Sequence, residues 1–176
     1  MMIDHRFVSE AERLKNSPPE GTLPGGMGTV QFTADCPGNA TQVFQQVKDV
    51  MRIISEQTLS EWPSDEQWKS LLPEWFLSAC AAPKTKEESD KFMAHWRSLP
   101  PAQKLQAERE EVWSLEAWLH WVNPPNRVWT WWDARVIDLN TIIVAVEVTD
   151  WPFPWGALRW LFRAAGSRQL AEEIED

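Results

Sequence analysis

Two carboxylates and one arginine stand out within residues 128–151, the part of the chain that most resembles a β-hairpin. Asp133 and Arg135 are two residues apart, and side chains alternate across a strand, so both are expected on one face. A three-residue turn at 139–141 places Glu147 on the same face, opposite Asp133. Tryptophans extend this row at both ends. The candidate binding face therefore consists of Trp129, Trp131, Asp133, Arg135, Glu147 and Trp151.

This candidate face is compatible with three kinds of role. Opposed carboxylates can serve acid–base chemistry, and tryptophan rings beside them favour sugars as substrates. Their expected separation matches that of a retaining glycosidase, which makes a small hydrolase the enzymatic alternative. A salt-bridge cluster without chemical function explains the same residues, because such clusters are common and weak. The third role is recognition of another protein, since tryptophan and arginine contribute strongly to many interfaces.

Other chemical motifs are weak. Residues 25–28 (Gly-Gly-Met-Gly) have the glycines of a phosphate loop, but they precede a predicted strand and no lysine follows, so we expect a structural turn. The three histidines are scattered along the chain, at His5, His95 and His120. Neither cysteine has a Cys or His partner at ligand spacing, so we expect no metal and no cofactor.

The two cysteines, Cys36 and Cys80, are far apart and follow no paired spacing. We expect them to be reduced and not bonded to each other. Cys36, at the end of a predicted strand, is the one plausible thiol nucleophile. Cys80 lies in an apolar segment and is expected to pack as a small hydrophobic residue.

The register of the hairpin decides which side chains share a face. A two-residue turn at Leu139 and Asn140 would place Asp133 and Arg135 among valines, whereas a three-residue turn leaves one face apolar. We therefore predict the three-residue turn, with Asn140 in the left-handed conformation that such turns use. The inward row is then Trp132, Ala134, Val136, Val144, Val146 and Val148.

Further elements must support this hairpin. A helix at 155–165 is predicted to pack on the apolar face and to end at Gly166, because glycine favours the left-handed position after a helix. Residues 29–34 alternate in polarity and predict a strand that joins the sheet. Capping residues predict helices that begin near Asn39 or Thr41, at Ser64 and at Thr85, and residues 102–122 predict one or two more.

The chain is expected to form one domain, residues 1–176, of the α+β class, with several helices packed on a small antiparallel sheet. The sheet is centred on the hairpin at 128–151. Residues 16–28 contain three prolines and four glycines, which predicts a loop. Residues 167–176 predict an acidic tail or a short helix.

The chain of 176 residues has a formal net charge of −9 and contains 13 tryptophans but no tyrosine. Counted by halves, the charge is even, without the basic patch that phosphate backbones select, so we expect no nucleic-acid partner. No transmembrane segment is expected, because charges and prolines interrupt the most apolar stretch. No signal peptide is visible at the N-terminus, which predicts a cytoplasmic location.

These features favour a non-enzymatic interaction protein over an enzyme. An acidic chain without a catalytic motif suits an inhibitor of a basic partner protein, such as a bacterial immunity protein that neutralises a toxin. Its recognition surface is expected to combine exposed tryptophan with carboxylate. The alternative is the small hydrolase that uses Asp133, Arg135 and Glu147.

Overall fold

A computed structural model describes residues 4–25 and 28–173. These residues form eight helices packed on a four-stranded antiparallel sheet, which confirms the predicted α+β class. The elements are α1 (His5–Lys15), β1 (Thr29–Asp35), α2 (Ala40–Thr58), α3 (Asp65–Leu71), α4 (Glu74–Ala79), α5 (Lys86–Ser98), α6 (Pro101–Glu110), α7 (Leu115–Val122), β2 (Trp129–Asp138), β3 (Thr141–Val148), α8 (Gly156–Ala165) and β4 (Gln169–Glu172).

The sheet has the strand order β2-β3-β1-β4. The predicted strand at 29–34 does join it, and Phe32 of β1 lies opposite Val144 of β3. The tail was expected to be a short helix or an unstructured acidic end, but residues 169–172 form β4 on the other side of β1. Leu170 explains the difference, because it lies opposite Ala34 and is buried in the core. Residues 174–176 lie outside the described residues.

The predicted hairpin register is wrong. The turn has two residues, with Asp138 opposite Thr141, and two irregularities follow in β2, between Val136 and Asp138 and between Trp131 and Asp133. Each β-bulge adds one residue to a strand, and the next residue then points to the opposite face. The bulges thereby keep charged side chains out of the core without the longer turn.

As a consequence of the bulge at Trp132, the core contains Trp131 in place of the predicted Trp132. Trp131 lies opposite Val146 and is buried, whereas Trp132, which was expected in the core, is half-buried at the surface. Val136 is also largely outside the core. The prediction is confirmed for β3, where Val144, Val146 and Val148 are buried.

The turn itself is held by side chains. Asn140 does not adopt a positive φ, contrary to expectation. Its carbonyl oxygen Oδ1 accepts a hydrogen bond from the backbone N–H of Gly38 at 2.8 Å. Asp138 Oδ1 accepts one from the backbone N–H of Asn140, also at 2.8 Å. These bonds fix the turn against the start of α2.

The inner face of the sheet is covered by α2 and α8. In α2 an apolar stripe that includes Val43, Val47 and Val50 is fully buried, as the 3.6-residue period predicts. Helix α8 ends at Gly166, whose φ of 114° is left-handed, which confirms the predicted position. The predicted caps at Ser64 and Thr85 are also present.

The outer helices differ in how much they bury. Helix α7 is tied to α8 by a hydrogen bond from Trp118 Nε1 to the carbonyl oxygen of Ala157 at 3.0 Å. Helices α5 and α6 bury no residue at all. Five tryptophans are buried in the core, and they are Trp68, Trp118, Trp129, Trp131 and Trp160.

Candidate functional site

The six residues of the predicted binding face do not form one surface. Trp129 and Trp131 are buried beneath α1 and α2, since the bulges turn them inward. Asp133 lies opposite Ala145, and Glu147 lies opposite Thr130, so the two carboxylates are not a cross-strand pair. Arg135 is exposed, and Trp151 is 49% exposed beyond the end of β3.

The two carboxylates of that face each bind the proline- and glycine-rich segment. Ser17 Oγ donates a hydrogen bond to Asp133 Oδ1 at 2.8 Å. The backbone N–H of Gly25 donates one to Glu147 Oε2, also at 2.8 Å. These bonds hold residues 17–25 across the outer face of the sheet, so the local role of both carboxylates is to anchor a loop.

A hollow of about 910 Å³ lies between α1, this loop and the sheet. Glu147 lines it, whereas Asp133 does not. On one wall the guanidinium group of Arg13 lies 4.9 Å from the centre of the Trp132 ring. The hollow therefore does not contain the Asp133–Glu147 pair on which the glycosidase-like alternative depended.

The strongest charge pairing in the described residues is structural. Arg127 donates two hydrogen bonds to the carboxylate of Glu10, at 2.6 and 2.8 Å, and both side chains are fully buried. Glu10 Oε2 also accepts a bond from the backbone N–H of Trp131 at 2.6 Å. Arg127 further donates from Nε to the carbonyl oxygen of Val122 at 3.3 Å. This Glu10–Arg127 network joins α1, the end of α7 and the edge strand β2.

Arg13 completes the edge of β2. Its Nε donates to the carbonyl oxygen of Trp131 at 2.9 Å, and its Nη2 donates to Thr130 Oγ1 at 3.3 Å. Burial lowers the pKa of Arg13, and the charges of Glu147 and Glu10 oppose that shift. An open sheet edge leaves backbone groups unpaired, and these side chains satisfy those of Trp129 and Trp131 at the start of β2.

A different surface carries an excess of negative charge. Residues 56–75 contain five carboxylates, at Glu56, Glu61, Asp65, Glu66 and Glu74, and a single lysine, Lys69. Helix α3 buries only Trp68, so its charged side chains lie in solvent. We call the solvent surface of α3, together with Glu61, Trp62 and Glu116, the acidic face.

The pKa of Lys69 is raised by the carboxylates of the acidic face. Its Nζ lies 3.1 Å from Glu66 Oε1. The hydrogen bond and charge of Glu66, followed by the charges of Glu116 and Asp65, raise the pKa of Lys69. Carboxylates from α3 and α7 thus both act on the ammonium group of Lys69, and they favour its charged form.

The acidic face also offers aromatic and apolar contact area. Trp62 is half-buried, and its ring centre lies 4.8 Å from that of the buried Trp68. Glu61, Trp62 and Leu71 line a shallow hollow of about 440 Å³. Leu71 is 37% exposed. Tryptophan and carboxylate are therefore combined at this surface, at other residues than those of the predicted binding face.

Counting charge over halves of the chain concealed this surface. Both halves are similarly acidic, whereas a window of 20 residues at 56–75 has five carboxylates against one lysine. The approach of Glu116 to α3 has no sequence signal, since 47 positions separate it from Lys69.

The cysteines are free and differ in position. Cys36 is fully buried, and Cys80 is half-buried. Burial is the main cause that raises the pKa of each thiol. A nucleophilic cysteine needs a lowered pKa and an accessible sulfur atom, so neither thiol has the features of an activated nucleophile.

Comparison with protein-family models, with curated proteins and with solved structures finds no match for this chain. Among residues 4–25 and 28–173, no helix has the length and apolar character that crossing a bilayer requires. Within those same ranges, no three His, Cys, Asp or Glu side chains are grouped as a metal site would need. Functional inference therefore depends on the geometry of the chain itself.

Proposed function

We propose that this chain is a non-enzymatic interaction protein that binds a basic partner protein through its acidic face. An inhibitor of the immunity type would have this character. The observation that carries the proposal is the group of exposed carboxylates at Glu61, Asp65 and Glu66, which has one lysine, Lys69, beside it. The raised pKa of Lys69 is consistent with this excess of negative charge. A lysine or arginine of a partner would be attracted by the same carboxylates, which speeds encounter.

The composition of the acidic face supports a protein partner in particular. Trp62 and Leu71 supply aromatic and apolar area next to Glu61. Interfaces gain most of their binding energy from a few such aromatic anchors, while charges at the rim mainly set the association rate. A face with both features can bind a protein surface rather than only a small cation.

The enzymatic alternative has no comparable support. It depended on Asp133 and Glu147 facing each other across the hairpin, and each of them instead anchors the loop at 17–25. We therefore propose no reaction for these residues.

The test is affinity capture from the native host with three baits. The first is the unaltered chain, and the second carries Glu61→Gln, Asp65→Asn and Glu66→Gln. The third, a control, loses the same three charges at exposed positions elsewhere through Glu12→Gln, Glu20→Gln and Glu88→Gln. Mass spectrometry identifies the retained proteins.

We expect one basic protein to be retained by the unaltered chain and by the control, and to be lost from the acidic-face variant. Retention should weaken as salt rises, because charges at an exposed interface are screened. A partner retained equally by all three baits, or no retained basic protein, would contradict the proposal.

A further inference from the structure

Four arginines line a cleft of about 610 Å³ between α6, α8 and β4. They are Arg109, Arg159, Arg163 and Arg168. This concentration of positive charge occurs in a chain whose net charge is −9. A count of charge over halves of the chain does not show this cluster, because the fold brings α6 beside α8.

Only one of the four arginines is neutralised by a carboxylate of the described residues. Arg168 Nε donates to Asp35 Oδ2 at 2.7 Å. Arg163 Nη1 donates to two backbone carbonyl oxygens, those of Arg109 and Glu111, at 3.2 Å each. Within residues 4–25 and 28–173, no carboxylate lies within ion-pair distance of Arg109, Arg159 or Arg163.

Arg159 is partly shielded from solvent and contacts an aromatic ring of the cleft. It is half-buried, and its guanidinium carbon lies 4.3 Å from the centre of the Trp155 ring. Burial, followed by the charge of Arg109, lowers the pKa of Arg159, while the charge of Glu108 acts in the opposite direction. A guanidinium group that is partly dehydrated and lies near a like charge would be stabilised by an incoming anion.

The cleft also contains two carboxylates, Glu110 and Glu172. Glu110 accepts a hydrogen bond from the side chain of Gln106 rather than from an arginine. Asp35 matches Arg168, and Glu108, Glu110 and Glu172 offset the formal charge of the other three arginines. None of these three guanidinium groups is held in an ion pair by a carboxylate of the described residues, so all three remain available to an anion. The rest of the lining is half apolar, with Trp155, Leu170 and Ala171, and half polar, with Gln106, Ser167 and Gln169.

We propose that this cleft binds the phosphate group of a small organic phosphate. Guanidinium groups match the oxygen atoms of phosphate in geometry and charge, and several of them can bind one tetrahedral anion from different sides. The volume is within the range of about 300–1,000 Å³ that small-molecule sites have. The apolar half of this lining would contact the organic part of the ligand. The site shares no residue with the acidic face and is independent of the function proposed for it.

The test is isothermal titration calorimetry with inorganic phosphate, pyrophosphate and citrate at low salt. The variants are Arg159→Gln and Arg109→Gln, with Arg135→Gln as a control that removes an exposed arginine outside the cleft. Arg109 lies on α6, which buries no residue, so its replacement should leave folding intact. Thermal unfolding without ligand checks this for each variant.

Pyrophosphate should bind more tightly than phosphate because it carries more charge, and citrate should bind more weakly than pyrophosphate. Arg159→Gln and Arg109→Gln should each lower the affinity for pyrophosphate by about tenfold or more, as loss of a charged hydrogen bond does. Arg135→Gln should leave it unchanged. The proposal would be overturned if neither phosphate nor pyrophosphate bound, or if the two cleft variants bound pyrophosphate with unchanged affinity. It would also be overturned if citrate bound as tightly as pyrophosphate.

Discussion

Two regions of this protein use carboxylates in opposite ways. At the edge of β2, the carboxylate of Glu10 is fully buried and receives three hydrogen bonds, two from Arg127 and one from the backbone of Trp131. On the acidic face, the charges of Asp65, Glu66 and Glu116 converge on the single exposed Lys69. One region has its charge matched within the chain, and the other presents an excess of charge to solvent.

The comparison separates charge that stabilises the fold from charge that is available for recognition. A buried carboxylate needs a partner, because unpaired charge in the interior is costly. An exposed carboxylate needs none and adds little to stability. Its value lies in the field it creates, which acts on charged molecules that approach the surface.

The largest expected effect comes from removing the buried charge. Glu10→Gln leaves the guanidinium group of Arg127 buried without its counter-charge, and the free energy of unfolding should fall by about 3–5 kcal/mol. Denaturant unfolding measures this. The matched change on the acidic face, Glu66→Gln, should alter the unfolding free energy by about 0.5 kcal/mol or less.

The double variant Glu10→Gln with Arg127→Met sharpens this result. It removes both partners, so part of the stability lost in Glu10→Gln should return. If Glu10→Gln and Glu66→Gln had similar effects on unfolding, the distinction between the two regions would fail.

A second prediction tests the bulge that creates the buried edge. Trp131→Ala removes a core side chain, and the unfolding free energy should fall by about 3–5 kcal/mol. Trp132→Ala removes a half-buried ring that stacks on Arg13, and the loss should be about 1 kcal/mol. If Trp132→Ala lowered the unfolding free energy more than Trp131→Ala, Trp132 would be the core residue. The strand β2 would then be paired with β3 without the bulge at Trp132.

The smallest expected effect concerns Glu173, which combines features of the buried Glu10 and of the exposed carboxylates on the acidic face. Glu173 is exposed, yet it accepts hydrogen bonds from Thr33 Oγ1 at 2.7 Å and from Gln31 Nε2 at 2.8 Å. These two bonds lower the pKa of Glu173. A carboxyl group whose pKa is lowered by folding adds stability above its unfolded pKa, and this contribution disappears as pH falls through the folded value.

NMR titration of the Glu173 side chain measures this shift. Thr33→Val removes the first of the two hydrogen bonds, so the pKa of Glu173 should rise toward its ordinary value. Docking of β4 should then become less sensitive to acid. An unchanged pKa in this variant would mean that the hydrogen bond with Thr33 does not form in solution.

Much of the fold could be predicted because the relevant signals are local. The cap at Ser64 with Gln67, the stop at Gly166 and the valines of β3 each depend on residues a few positions apart. The bulges at Trp132 and Ile137 could not be predicted, since a three-residue turn already left one face apolar and no local signal marks the extra residues of β2. In the observed register Trp131, and not Trp132, is buried where β2 packs against α1 and α2.

The charged sites were predictable only where they are continuous in sequence. The carboxylates at 56–75 are visible in a short window, whereas Glu10 and Arg127 are 117 positions apart. The arginine cleft combines both cases, because Arg159 and Arg163 are one helical turn apart, but Arg109 reaches them only through the packing of α6 beside α8. Spatial proximity of this kind has no signal in a single sequence.

The most direct test of the central claim measures stability and binding in the same variant. The chain with Glu61→Gln, Asp65→Asn and Glu66→Gln is compared with the unaltered chain, both for unfolding in denaturant and for affinity toward the basic protein that the unaltered bait retains. We predict that the unfolding free energy changes by about 1 kcal/mol or less, while the partner affinity falls by about tenfold or more, mainly through slower association. A variant that unfolds easily but binds the partner with unchanged affinity would contradict the account.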